Sequence, residues 1–506
     1  MSLHDFGFGD LLREHARSWP ATVALVCDGA RHDYRTLDGR VNRLANALSE
    51  RGVGAGGRVL WLGQNCHRLI ETMLAAAKLG AGLCPVNWRQ SANELSYVIS
   101  DFAPQVVVWQ SQCEVASTFT AAREAARHDA AWIDADGDYE AVVEAAAPDD
   151  PGVDVDPLAP LLYMYTAAFS GRPRAAMLSH QGLLTQGLAI AAVQEITPGY
   201  VYLNCGPLFH IATFMTTAAT LELAGTNVFT PRVDAEEICR LVDAEKVVGA
   251  FLLPQTVSQI AEVNADRRYD LSTLVTMHMG NKDFRSMISP ASSTWLRKPG
   301  GYGQTEVTGL LTLSAYGAGP MAPGRPGPFA AVRIVDEDGN DVPDGATGEI
   351  VAKGPLAMVG YWGDDEETAR RQRGGWHHTN DLGRREPDGT VTFVGPKTEL
   401  IKTGVENVYP AEVESALQQH PAVAEVVVIG VPDPVWDQNV KAVVRLHDGQ
   451  AATADELIEH VKGLLASYKK PKSVDFVDAF PRLESGWIDR DAVKAAHGAG
   501  GTPGTG

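Results

Sequence analysis

Short apolar runs alternate with alanine-rich amphipathic stretches along the first 320 positions. Val106–Val107–Val108–Trp109 and the run from Val247 to Leu252 have the β-branched, unbroken apolar character of strands, whereas Leu74 to Lys78 reads as helix. Alternation of this kind predicts layered, parallel α/β structure. The texture then changes. VRIVDEDGNDVPDGATGEIVAKG and RREPDGTVTFVG set Asp-Gly turn signals beside alternating apolar positions, which predicts hairpins and a β-rich part over about 320–397. Past a boundary near 397, AEVESALQQH, AEVVVIG, KAVVRL and TADELIEHVKGLLASY predict a small αββαβ domain over 398–495. In its last helix Thr453 and Glu456 have capping-box spacing, and Leu457, Val461, Leu464 and Leu465 share one face. The glycine-rich end, 496–506, has nothing apolar to bury and is expected to be disordered.

Composition narrows the function without naming it. A chain of 506 residues exceeds one ordinary core, and 45% apolar with 21% charged residues is the balance of a soluble globular protein. A formal charge of −20 with no Lys/Arg block excludes a nucleic-acid surface. MSLHDFGFGDLLREH lacks a signal-type apolar core, and no run approaches the roughly 20 apolar residues of a membrane helix. A cytoplasmic protein with no membrane partner is expected. Cys27, Cys66, Cys84, Cys113, Cys205 and Cys239 lack ligand or pairing spacing and read as free thiols.

Seven segments could carry chemistry: YTAAFSGRPRAAMLSH, PLFH, GYGQTE, GEIVAKGP, HTNDLG, GPKTELIKTGVENVYPAEVE and PRLESGWIDR. The first follows an apolar strand and has the small residues of a phosphate-cradling turn. Singly, each has a plainer reading: Asp381 as a turn residue, His210 as a hydrogen-bonded histidine, Glu306 as a solvated acid.

In order and spacing, these segments resemble the adenylate-forming superfamily of acyl-CoA synthetases, firefly luciferase and peptide-synthetase adenylation domains, from about residue 10 to 495. The resemblance implies a large N-terminal domain of α/β subdomains with a β-rich part (1–397) and a small mobile α+β domain. It implies attack of a carboxylate on ATP to give acyl-AMP and pyrophosphate, rotation of the small domain about a hinge at Thr398, and displacement of AMP by CoA. Position by position, Asp381 would hold the ribose, Tyr302, Gly303 and Gly280 would border adenine, and Thr305 would contact the α-phosphate. Glu306 would take magnesium if magnesium is used, and no other metal ligand is implied. His210 would be catalytic, where the acyl pocket meets the CoA tunnel bordered by Lys402, Gly404 and Val405.

Departures from the family pattern cluster on the first half-reaction. The phosphate loop carries Ala167, Ala168 and Phe169 in place of small hydroxyl and glycine residues, which removes donors and restricts the turn. Pro396 replaces an arginine, Asn380 a glycine, and Trp487 the lysine that places an ammonium between carboxylate and phosphate. The expectation is an enzyme that passes an acyl group from preformed acyl-AMP to CoA, releasing AMP, with ATP and magnesium not used productively and a separate adenylating enzyme as supplier. Gly300, Gly301, Ala212 and Thr213 suggest room for a bulky acid. Two alternatives stay open: a complete ATP-dependent synthetase in which Lys402, Arg172 or Arg174 replaces the lost lysine, and a non-catalytic binder of acyl-AMP or CoA, favoured if Val405 narrows the tunnel.

Overall fold

The structure is a computed structural model that describes residues 3–166, 173–275, 281–291, 295, 300–316, 324–397, 400–404, 406–482 and 488–498. Ala167, Ala168, Phe169, Arg172, Gly280, Thr398, Val405 and Trp487 lie outside the described residues. The chain is an α/β protein with a large N-terminal and a small C-terminal domain.

Two sheets organise the first 275 residues, and one of them also takes in the later strand Gly360–Tyr361. One has five strands, ordered Gly249–Ala250, Val201–Asn204, Thr226–Phe229, Val23–Cys27 and Ala30–Asp33. The other has seven, ordered Gly360–Tyr361, Arg174–Ser179, Pro160–Thr166, Gly82–Pro85, Arg58–Leu62, Val106–Trp109 and Ala131–Asp134. The alanines of the helix His67–Lys78 let neighbouring elements approach closely, and all of its residues but Arg68 are buried. Even its Lys78 is 0% exposed, because Asp38, Asn42 and Asp150 accept from Nζ at 2.6, 2.6 and 2.7 Å.

Three expectations need correction. The seven-stranded sheet is mixed rather than parallel, since Pro160–Thr166 and Arg174–Ser179 pair antiparallel. The seven residues between those strands are too few for the crossover that parallel pairing requires. From Val247 to Leu252, only Gly249–Ala250 forms a strand, pairing with Tyr202 and Leu203 at a sheet edge. Finally, the helix Arg490–His497 enters the stretch expected to be disordered. Val493 is buried, Asp489 caps the helix, and His497 Nδ1 lies 2.8 Å from Asp475.

Hairpins dominate thereafter. Ala331–Val335, Thr347–Lys353, His377–Arg385 and Val391–Pro396 form an antiparallel four-stranded sheet. The C-terminal domain folds Ile401–Thr403, Glu406–Val408, Val423–Asp433, Asp437–Leu446 and Ser473–Phe476 into one sheet covered by Pro410–Leu417 and Ala454–Leu464, whose Thr453–Glu456 capping box is formed. Leu457 and Val461 are buried in its core, with Leu464 and Leu465 packed at the edge. Among the described residues no helix is long and apolar enough to cross a membrane.

Candidate active site

A cavity of about 610 Å³ opens between the two domains. The carboxyl ends of Gly82–Pro85 and Val201–Asn204 release the loops that form one wall, the usual place for a ligand in an open α/β sheet. Asn65 braces the second loop: its Nδ2 donates to the carbonyl of Gly206 at 2.7 Å, and its Oδ1 accepts from the Leu208 amide at 3.2 Å. His210 ends that loop at the N-cap of the helix Ile211–Glu222.

On the other wall Tyr302 is buried against the face of Phe393, ring centroids 5.4 Å apart and 17° from parallel. Its hydroxyl donates to Asp381 Oδ2 at 2.7 Å, and Gln304 Nε2 donates to the same oxygen at 3.0 Å. Burial pushes the Asp381 carboxyl above its ordinary range and Glu306 adds to this, against the pull of those two hydrogen bonds. Gly303 opens a short hairpin, and Thr305 begins the single 3₁₀ turn Thr305–Val307. Glu306 is buried with Oε1 accepting from Tyr361 at 2.8 Å. Glu306 also lines the cavity, and a single carboxylate joined by ligand oxygens and water is an ordinary way to hold magnesium, so this residue could take that ion.

The C-terminal domain closes the cavity. Lys402, Glu406, Tyr409, Tyr468 and Lys469 line it, and the Lys402 ammonium stands 5.2 Å from the Phe393 ring centre. Glu406 is 8% exposed, and its Oε2 lies 3.4 Å from His210 Nε2. Burial works to raise the Glu406 carboxyl, but His210, Arg89 and Lys469 outweigh it and hold the group below the usual range. Gly404 turns at φ +63°, where a side chain is strained and would also press on Trp436. The structure therefore brings together His210, Tyr302, Gly303, Thr305, Glu306, Asp381 and Lys402, whereas Gly404 lies against Trp436 and is not part of the cavity lining.

Two substitutions that the sequence singled out find their physical setting. Pro396 pairs with Asp381 across the sheet and can offer that edge no donor. Asn380 adopts φ +62°, the left-handed conformation that explains a glycine in the family pattern and that asparagine tolerates better than most residues. Arg174 is committed elsewhere: its Nε donates to Asp364 at 2.6 Å.

Ile211, Met215, Val233, Phe251, Leu253 and Leu310 give the cavity an apolar wall. The reading of Gly301 and Thr213 as open space is corrected here. A Cβ on Gly301, at φ +154°, would lie 2.1 Å from the Thr312 carbonyl, so close backbone packing requires glycine. Thr213 is buried and bonds back to the carbonyls of Pro207 and His210. Ala212 is exposed to the cavity and does leave room.

Sequence reasoning missed Glu406, Tyr409, Lys469, Arg89 and Gln304. Glu406 and Gln304 sit inside matched segments and were within reach; Arg89 and Lys469 carry no local signal. A second group of ligand-type side chains, His32, His67 and Glu71, is closed to a cation, because Arg40 donates to both Glu71 oxygens at 2.7 and 3.0 Å and Tyr139 donates at 2.8 Å.

Comparison with known proteins agrees with this geometry. Residues 12–362 match the AMP-binding enzyme family and 412–486 the AMP-binding enzyme C-terminal domain. A feruloyl-CoA synthase from Amycolatopsis is 35% identical over 497 residues, 97% of this chain and 99% of that one. An indoleacetate–CoA ligase from Aromatoleum aromaticum is 32% identical, over 95% and 96%. Among solved structures, a double mutant of the o-succinylbenzoate CoA synthetase of Bacillus subtilis superposes with a TM-score of 0.80 at 24% identity, over 96% of this chain and 98% of that one.

Proposed function

The chain belongs to the AMP-binding enzyme family and is an acyl-CoA ligase of that family, and we propose that it completes an acyl-CoA thioester from an acyl-adenylate. The observation that carries this is the cavity shared by Asp381, Tyr302 and Thr305 on one side and by Lys402, Glu406 and Tyr409 on the other, with His210 between. An adenylate held on the first side presents its acyl carbon toward His210. The CoA sulfur bonds to that carbon, the carbon–oxygen bond to phosphate breaks, and AMP leaves with the electron pair as the thiol proton is released. Positioning of the thiol against a good leaving group supplies much of the barrier reduction.

Preformed acyl-AMP from a separate adenylating enzyme is the proposed source. Trp487 provides no ammonium where carboxylate meets phosphate, Pro396 provides no donor beside Asp381, and Ala167, Ala168 and Phe169 remove the hydroxyls and glycine freedom of a triphosphate loop. The apolar wall suits an acyl group that is uncharged and of aromatic bulk, in keeping with the relatives named for ferulate and indoleacetate.

A second reading, a complete ATP-dependent synthetase, is favoured by the Lys402 ammonium in the cavity and by relatives named as CoA synthases and ligases. Two parallel reactions separate the two, one with acid, ATP, magnesium and CoA, the other with synthetic acyl-AMP and CoA, each followed by mass spectrometry. Thioester from acyl-AMP alone is expected. Thioester from both overturns the loss of adenylation, and thioester from neither overturns the ligase reading for the acids tried.

A further inference from the structure

Three charged side chains meet where the domains touch. Lys469, in the turn after the helix Ala454–Leu464, is 2% exposed. Its Nζ donates at 2.7 Å to Glu412 of its own domain and at 2.7 Å to Glu94 of the N-terminal domain. Glu94 begins the helix Ala92–Phe102, and its capping box with Ser91 uses Oε2, which leaves Oε1 for the lysine.

The surrounding contacts have the same direction. Ser91 Oγ donates to the carbonyl of Leu464 at 3.0 Å, and Asn93 Nδ2 donates to that of Gly463 at 3.2 Å. The last carbonyls of one domain's helix, which no helical amide can reach, are thus satisfied by the first turn of the other's. Asn87 and the Tyr468 hydroxyl add a contact at 3.4 Å. Tyr468 and Lys469 both line the cavity, so the docking contact is continuous with the cavity wall.

Partners of this lysine differ in permanence. Glu412 travels with Lys469, whereas Glu94 is reached only when the domains sit as they do here. A buried ammonium is tolerated where carboxylates engage it, and here two do so at 2.7 Å each, one from each domain. Geometry therefore makes this seat conditional on domain orientation.

We propose that Lys469 is a positioning residue: through Glu94 it seats the C-terminal domain so that Glu406 meets His210 and Lys402 and Tyr409 enter the cavity. The proposal rests on the thioester-forming reading above. Neither Glu94 nor Ser91 lines the cavity, so the seat can be altered without touching the groups that hold the adenylate.

Glu94→Gln tests it, since glutamine serves equally at this capping-box position and preserves the start of the helix. Acyl transfer from synthetic acyl-AMP to CoA is expected to fall by at least about tenfold while AMP affinity by calorimetry is unchanged. Small-angle X-ray scattering should show a broader distance distribution than that of the wild type. Unchanged transfer with unchanged scattering overturns the proposal, as does loss of AMP affinity in parallel with transfer, which would mark a role in folding the site. Should the wild-type protein form no thioester, the functional reading fails, and the scattering comparison still decides whether Glu94 seats the domain.

Discussion

Glu406 reaches across the domain boundary to within 3.4 Å of His210 Nε2, joining the C-terminal strand Glu406–Val408 to the loop that ends the Val201–Asn204 strand. A carboxylate held below its usual range remains ionised at neutral pH and orients the imidazole toward itself. Glu406→Gln keeps the shape and removes the charge. The two groups stand at ion-pair distance without a hydrogen bond, and about 1.4 kcal/mol of charge interaction corresponds to tenfold in rate, so acyl transfer from acyl-AMP to CoA should fall roughly tenfold. AMP affinity, measured by calorimetry, should not change, because Asp381 and Tyr302 remain intact.

Asn380 tests the backbone that carries Asp381. At φ +62° an alanine costs about 1–2 kcal/mol, whereas glycine relieves the strain. Asn380→Ala should lower the thermal unfolding midpoint, and Asn380→Gly should leave it equal or higher. If both variants lower the midpoint to the same degree, the asparagine side chain rather than its conformation holds this turn.

Legibility in the sequence followed separation along the chain. Asp381, Tyr302, Thr305 and Glu306 were readable because each sits in a short segment whose neighbours identify it, although 79 positions separate Tyr302 from Asp381. Glu94 and Lys469 were not, because 375 positions divide them and neither lies in a recognisable segment. Strand direction in the Pro160–Ser179 hairpin was misread since apolar runs look alike in parallel and antiparallel sheets. Gly301 was misread for a related reason: a glycine required by the Thr312 carbonyl and one that opens a pocket are the same letter.

Trp487 carries the argument about the first half-reaction. Indole offers one neutral donor where the family pattern places an ammonium, and restoring one fixed electrostatic donor is worth about 10²–10³ in rate. Trp487→Lys should produce acid-dependent pyrophosphate release from ATP, more strongly when Ala167, Ala168 and Phe169 are also returned to hydroxyl and glycine residues. Continued absence of pyrophosphate in the combined variant would overturn this account of why adenylation is lost.

Asp381 should set binding and stability against each other. Burial raises its carboxyl above the ordinary aspartate range, so in the free protein its ionisation opposes folding: stability from this group is present at low pH and lost as pH rises through the raised value. Asp381→Asn therefore should raise the unfolding midpoint at pH 7. Ribose hydroxyls donate to the ionised form and favour it, so the same substitution should weaken AMP binding roughly tenfold to a hundredfold. For the wild type, AMP affinity should be full at neutral pH and fall as pH drops through the raised value, starting at a higher pH than an ordinary aspartate would impose, with a proton taken up as AMP leaves. In Asp381→Asn this part of the pH dependence should vanish. Calorimetric titrations between neutral and mildly acidic pH on both proteins decide the matter, since a slope that persists in the variant would assign the titration to another group.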